Sequence, residues 1–272
     1  MVIDFHTHIF PDRVAPKAIS SLAPIIRIEP SMDATRAGLL SSMEQSGIDL
    51  SVVLPVITDP HQFDSILRFA AETNELYGKG PGLRLCSFAG IHPESSDYRE
   101  QIRQVRREGI PGIKLHPYFQ GHDIDDPLYL RIIEAASEES LIIVTHAGFD
   151  PIAPDRQMAG PDMLLNVIRE VRPSRFVLAH MGNNRNHDEC LEKLCGQDVF
   201  FDTSFSVLHT PAETLLRLIK AHGTDKVLFA TDAPWTGQKE ALEQFLSLDG
   251  LSGEEKQQIL SGNASSLLSL PT

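Results

Sequence analysis

Short apolar, β-branched runs recur along the chain at Val2–Phe5, Leu50–Val56, Leu83–Ala89, Gly112–Leu115, Leu141–Thr145, Arg175–Ala179, Val199–Asp202 and Lys226–Thr231. Each is largely continuous rather than alternating, which is how a strand buried on both faces reads. Between them the apolar period changes to that of a helix, as in Phe63, Ile66, Leu67 and Ala70, or Leu128, Ile132, Ile133 and Ala136. Start and stop signals frame several of these segments: Asp126 before Pro127, Gly160 before Pro161, Thr210 before Pro211, and Gly223 after the stripe of Leu215, Leu216 and Ile219. Strands alternating with helices predict an α/β fold with a parallel sheet. Eight repeats fit a closed (β/α)8 TIM barrel. An open doubly wound sheet is the alternative, but no glycine-rich fingerprint follows the first strand. The first connection, Ile9 to Ser31, is long and holds Pro11, Pro16, Pro24 and Pro30, so it is expected to be an active-site loop with a short helix. Gln244 to Leu270 reads as one or two closing helices. No linker interrupts the pattern, which predicts a single domain over residues 1–272.

Composition narrows the class without changing this picture. The chain has 272 residues, 42% hydrophobic and 22% charged, enough to bury a core without disulfide or metal staples. Its 24 Lys and Arg against 37 Asp and Glu leave a net charge of −13, which disfavours nucleic acid and anionic membranes as partners. No apolar run approaches the roughly 20 residues of a membrane span. The first residues carry Asp4 and no basic stretch, unlike a secretory leader. Three cysteines imply no disulfide framework, and a cytoplasmic setting fits.

The candidate chemistry lies in the histidines. Of eleven, six fall where a strand ends: His6 and His8, His92, His116, His146 and His180. Asp202 and Asp232 end the last two strands. In barrel enzymes the active site is built from strand C-termini and the loops after them. His6 and His8 are two apart on a strand and share a face. A buried imidazole pair must be satisfied, and a divalent metal satisfies it. Neutral imidazole with carboxylate suits zinc, with iron or manganese as alternatives. Lys114 and His116 share a face of the fourth strand, and Lys114 is equally readable as the partner of a buried acid such as Asp4. Trp235, three residues after Asp232, is a candidate wall. Asp202, Thr203 and Ser204 are candidate rim residues, and Asn183 and Arg185 are candidates to meet a substrate carboxylate. His61, His122, His187, His209 and His222 read as solvated.

The ordered set His6-Thr7-His8, Gly112-Ile113-Lys114-Leu115-His116-Pro117, Thr145-His146-Ala147-Gly148, Ala179-His180-Met181-Gly182 and Thr231-Asp232-Ala233-Pro234 resembles the amidohydrolase superfamily. More narrowly it resembles the amidohydrolase-related branch of metal-dependent hydrolases and aromatic-acid decarboxylases. Ile259 to Ala264 resembles that branch's closing helix, and the likeness runs over nearly the whole chain. It implies metal ligation by His6, His8, His146 and Asp232, with His180 beside the metal-bound water or substrate. A second metal or substrate contacts would involve His116, Lys114, His180 and Trp235, so one or two divalent ions per chain, zinc foremost, are expected. The activity implied is hydrolysis of an amide, lactone or ester in a small molecule, with Asp232 as general base then acid and His180 steadying the oxyanion. The alternative on the same site is non-oxidative decarboxylation of an aromatic or unsaturated acid. A binding protein without catalysis is disfavoured by retention of the four ligand positions. A homodimer is compatible with these features.

Overall fold

The computed structural model describes residues 1–270. Nine short strands carry the sheet: β1 Ile3–Thr7, β2 Leu50–Val53, β3 Leu85–Ser87, β4 Ala89–Gly90, β5 Gly112–Leu115, β6 Ile142–Thr145, β7 Phe176–Leu178, β8 Phe200–Asp202 and β9 Val227–Leu228. Every pairing is parallel, in the orders β1-β2-β3 and β4 through β9. β3 and β4 are one barrel strand interrupted at Phe88. Its first half pairs with β2 and its second with β5, and the Phe88 N–H still donates to Val53 O at 2.9 Å. The circle closes between β9 and β1. Phe5 N–H donates to Phe229 O at 2.9 Å, Asp232 N–H to His6 O at 2.9 Å and His8 N–H to Ala233 O at 2.7 Å. Eight barrel strands alternating with helices result, as the continuous apolar runs require.

Two strands stop well short of their apolar runs at the C-terminal end, whereas β5, β6 and β8 end with theirs. Leu50–Val56 leaves the ladder after Val53, and Lys226–Thr231 after Leu228, because the chain there bends to build the mouth. β1 instead runs two residues past Phe5 and takes in His6 and Thr7.

Buried side chains form two clusters. Ile3, Phe5, Val52, Phe88, Ile142, Val144, Val177 and Leu228 fill the barrel interior. The other cluster joins the outer strand faces, such as Ile113, Leu115 and Ile143, to the surrounding helices. The interior has room for Phe88 because Gly112 lies beneath it: a Cβ at Gly112 would stand 2.5 Å from Cε2 of that ring. Helix Asn263–Leu268 closes the lower end through Ala264 and Leu267, and the Asn263 amide ties it to β9 by bonds of 2.7 Å to Thr224 O and Val227 O. At the upper end, helix Ala15–Ile26 of the first connection stands over the mouth. That connection is pinned where Ser31 N–H donates to Pro234 O at 2.8 Å.

One irregularity decides where the polar residues point. Asp4 pairs with Ser51 but Thr7 pairs with Val53, so β1 has one residue more than β2 over that interval. This is a β-bulge, which re-aims side chains. Ile3 and Phe5 face the interior before it; His6 and His8 face the interior after it. Asp4 is left on the outer side, accepting from Thr231 Oγ1 at 2.6 Å and Gln238 Nε2 at 2.7 Å. Lys114 therefore does not pair with Asp4, the second of its two readings; its Nζ lies 3.2 Å from His6 Nε2 instead.

Candidate active site

The interior side chains of the upper layer converge on one cavity of about 900 Å³. Its floor holds His6, His8, Lys114, His146, His180 and Asp232. His180 and Asp232 both sit where the backbone leaves its strand with positive φ, 56° and 73°. Such conformations cost a non-glycine residue about 1–3 kcal/mol and persist where the surroundings impose them.

Two imidazoles and a carboxylate meet at the closure seam. His6 Nε2 lies 3.2 Å from His8 Nε2, and Asp232 Oδ1 lies 3.2 Å from His8 Nε2 and 3.6 Å from His6 Nε2. The remaining ring nitrogens fix the tautomers. His6 Nδ1 faces the Asp202 carboxylate at 2.8 Å and His8 Nδ1 faces the carbonyl of Leu54 at 2.8 Å. Both partners only accept, so each Nδ1 carries the proton and each Nε2 presents a lone pair. Two lone pairs and a carboxylate oxygen thus point at one another in a buried space, which calls for a cation. Lys114 Nζ, 3.2 Å from His6 Nε2, meets only one of the three. A tetrahedral ion with bonds of about 2.0–2.1 Å sets its ligands roughly 3.4 Å apart. The observed separations fit, so the residues suit a divalent metal.

Burial and the neighbouring Lys114 ammonium push His6 well below the usual imidazole range. Burial brings His180 to about 4 and His146 to about 3, aided respectively by His146 and by Lys114. All three are neutral at pH 7, the form that ligates. Burial lowers Lys114 to about 8, against the opposing pull of Asp202, Asp232 and Asp150. Burial alone would raise Asp232, but His8, His6 and His180 outweigh it and hold the carboxyl at about 2.

His146 lies in a second group. It sits with His116 and Asp150, and the two rings stack with centroids 4.6 Å apart. His180 links the groups, with its Nε2 3.1 Å from His146 Nδ1 and its ring centroid 5.4 Å from that of His6. Above the floor the walls are apolar, formed by Leu22, Ile25 and Ile26 of the loop helix with Phe119, Phe205 and Trp235. Arg185 stands at the rim with its guanidinium carbon 4.0 Å from the Phe149 ring centre.

An amidohydrolase family profile matches residues 3–270. The chain belongs to the amidohydrolase family. No curated protein matches it. Among solved structures, this amidohydrolase is similar to 5-carboxyvanillate decarboxylase from Sphingomonas paucimobilis, with 15% identity, 99% of each chain covered and a TM-score of 0.74. It is also similar to a dihydroxybenzoic acid decarboxylase from a Polaromonas species, solved with manganese and the inhibitor 2-nitroresorcinol. There identity is 18%, coverage 99% of this chain and 97% of the other, and the TM-score 0.72. An uncharacterised TIM-barrel protein from Bordetella bronchiseptica matches at 17% identity and a TM-score of 0.77, with 98% of each chain covered. At these identities the likenesses establish the barrel.

Several sequence expectations need correction within this amidohydrolase. Asp202 and Ser204 are not rim residues but lie beneath the floor, Asp202 holding His6 and Ser204 holding His180. His187 is half-buried, its Nε2 2.9 Å from Thr210 Oγ1, and lines the cavity; His209 is exposed as expected but also lines the cavity, stacked on Phe205 at 4.0 Å. His222 is buried, its ring stacked 3.7 Å above Phe201 and its Nε2 donating to Val199 O at 3.0 Å. Asn183 is fully buried with its amide donating to Asn186 O, so of that pair only Arg185 reaches the cavity. His92 is buried but lies outside the cavity lining. Sequence reasoning missed Asp150, four residues after His146. A buried-side acid following a strand-end histidine was the available signal.

Proposed function

We propose that this amidohydrolase removes CO2 from a small aromatic or unsaturated carboxylic acid, using a divalent ion, manganese or zinc, held by His6, His8 and Asp232. The observation that carries the reading is an apolar-walled cavity above a floor of converging acceptors, with Lys114 as the cation of the floor and Arg27 and Arg185 higher in the lining. A flat acid would set its ring between Phe119, Phe205 and the aliphatic wall and turn its carboxylate to the floor. The ion, when bound, supplies the positive charge that holds the carboxylate and an adjacent oxygen. Lys114 adds a second cation to the same floor. Asp232, ionised at rest, takes up a proton from a substrate hydroxyl or water and returns it to the carbon that loses CO2. The pair of electrons from the breaking C–C bond ends in the new C–H bond. His180, neutral and fixed through Ser204, orients the substrate oxygen. The decarboxylases with the same fold, one bearing manganese and a resorcinol inhibitor, support the choice of chemistry and of metal.

Hydrolysis of an amide, lactone or ester is the second reading. It is favoured by the low Asp232 carboxyl, which is already in the form that accepts a proton from water. The cavity and the net charge of −13 support a small molecule rather than nucleic acid as the partner. Among the described residues no helix is long and apolar enough to cross a membrane. Free Cys86, Cys190 and Cys195 support a reducing, cytoplasmic setting. Metal-loaded protein should be offered hydroxylated aromatic acids, lactones and amides, with released CO2 followed by mass spectrometry. CO2 from an aromatic acid supports the lyase. Turnover of a lactone or amide, with no CO2 from any acid, rejects it.

A further inference from the structure

We infer that Arg185 and Ser206 form an anion-binding subsite above the floor, so that the substrate is an elongated acid with a carboxylate at each end, one at the floor and one at the rim. The inference rests on the reading of this cavity as the seat of a carboxylic acid, and adds what its other end requires. It starts from size. A cavity of about 900 Å³ stands near the top of the roughly 300–1,000 Å³ range of sites for drug-sized ligands. A one-ring acid docked at the floor leaves most of that space unfilled.

The lining above the floor is of two kinds. Helix Ala15–Ile26 contributes Leu22, Ile25 and Ile26, which offer no polar side chain. The segments that follow β7 and β8 contribute Arg185, His187, Ser206 and His209. No acid lines that second stretch: the carboxylates of the cavity, Asp150 and Asp232, sit against His146 and His8 at floor level. Two groups of the second stretch lack partners. The Arg185 guanidinium makes no ion pair or hydrogen bond among the described residues. Its carbon stands 4.0 Å from the Phe149 ring centre, a contact that holds the fork without using its N–H groups. The two residues share a rigid frame, since Asn184 Nδ2 donates to Phe149 O at 2.8 Å and Phe149 N–H to Asn184 O at 3.1 Å. Ser206 is 2% exposed, and its hydroxyl is buried without a hydrogen-bond partner. An unmade hydrogen bond is costly inside a protein, so such a hydroxyl in a cavity wall marks a place for a ligand atom. The ring of Phe205, the residue before it, stacks with His209, and the charge of Arg185 bears on His209. The arginine and the serine therefore belong to one stretch of wall.

The complementary ligand head is one that only accepts and carries negative charge. A carboxylate meets both demands and matches the guanidinium fork with two parallel bonds. The chain as a whole carries −13, which repels an anionic substrate. A rim cation with no acid beside it offsets that repulsion at the entrance.

The test uses metal-loaded full-length protein and isothermal titration calorimetry. The probes are pairs of rising length: benzoate with terephthalate, and the para-linked biphenyl and stilbene monocarboxylates with their dicarboxylates. The quantity read is the ratio of diacid to monoacid affinity within a pair. In at least one pair it should reach roughly 10–100-fold, the worth of hydrogen bonds between charged groups. Arg185→Gln should bring that ratio close to one, and Ser206→Ala should lower it part of the way. A purely structural role for either residue would weaken both acids alike and leave the ratio unmoved. A wild-type ratio near one in every pair overturns the inference. So does a ratio that survives both Arg185→Gln and Ser206→Ala, whether or not Arg27→Gln lowers it. A diacid advantage that is lost in Arg185→Gln, with no CO2 released from any acid, would reject the proposed reaction and leave this subsite standing.

Discussion

Asp202→Asn isolates the residue that aims His6. The carboxylate accepts from His6 Nδ1 at 2.8 Å through Oδ2, while Oδ1 accepts from the backbone N–H of His180 at 3.0 Å, that of Ser204 at 3.1 Å, and the Ser204 hydroxyl. The amide is isosteric, and its oxygen can keep the three-donor side. Its NH2 then faces the His6 Nδ1–H, donor against donor. His6 must lose that bond or move its proton to Nε2, the nitrogen aimed at the metal. Outer partners of a metal-ligating histidine are worth about 10–100-fold in affinity, or roughly 1.4–2.8 kcal/mol at about 1.4 kcal/mol per decade. The lost charged hydrogen bond costs the fold a further 1.5–3 kcal/mol or so. Competition between stripped protein and a chromophoric chelator measures the first effect, and urea unfolding of the metal-free protein measures the second. A weaker ion at the His6, His8 and Asp232 site, with the protein still folded, is the expected outcome. Wild-type affinity in Asp202→Asn, where His6→Ala loses the ion, would refute the tautomer argument for the His6, His8 and Asp232 site.

Asp232→Asn should retain much of the metal through its amide oxygen but cut turnover by about 10²–10⁴-fold, since it cannot carry a proton; undiminished turnover on an identified substrate would place the proton transfer elsewhere. His222, which burial lowers to about 4, binds no proton in the fold over the range where the unfolded chain, at 6.5, does. Its contribution is therefore complete above pH 6.5 and is lost as pH falls towards 4, by about 3 kcal/mol at 1.36 kcal/mol per unit. His222→Gln should flatten that part of the urea-unfolding stability profile between pH 7 and 4.5, and an unchanged slope would contradict the burial account. Gly112→Ala forces a methyl against Phe88 and Ile142 O and should cost about 1–3 kcal/mol in chemical denaturation; a neutral effect would show that the barrel interior can yield there.

The sequence by itself determined the alternation of elements and the family. Continuous β-branched runs suit only strands covered on both faces, and eight of them with helices between leave few architectures. It also located the chemistry at strand ends, because a polar residue closing a buried run has nowhere to go except the mouth. What it did not contain was phase and contact across the barrel. Strict alternation would put Asp4 on the face of His6 and His8; the bulge in β1 reverses that, and a bulge is set by pairing with β2, not by any local signal. Asp232 reaches His6 and His8 only because β9 closes on β1, some 220 residues earlier. The roles of Asp202, Ser204 and Asp150 depend on which nitrogen of each imidazole faces which acceptor. That is decided by distances of a few ångströms between separate strands, and no spacing along the chain encodes it.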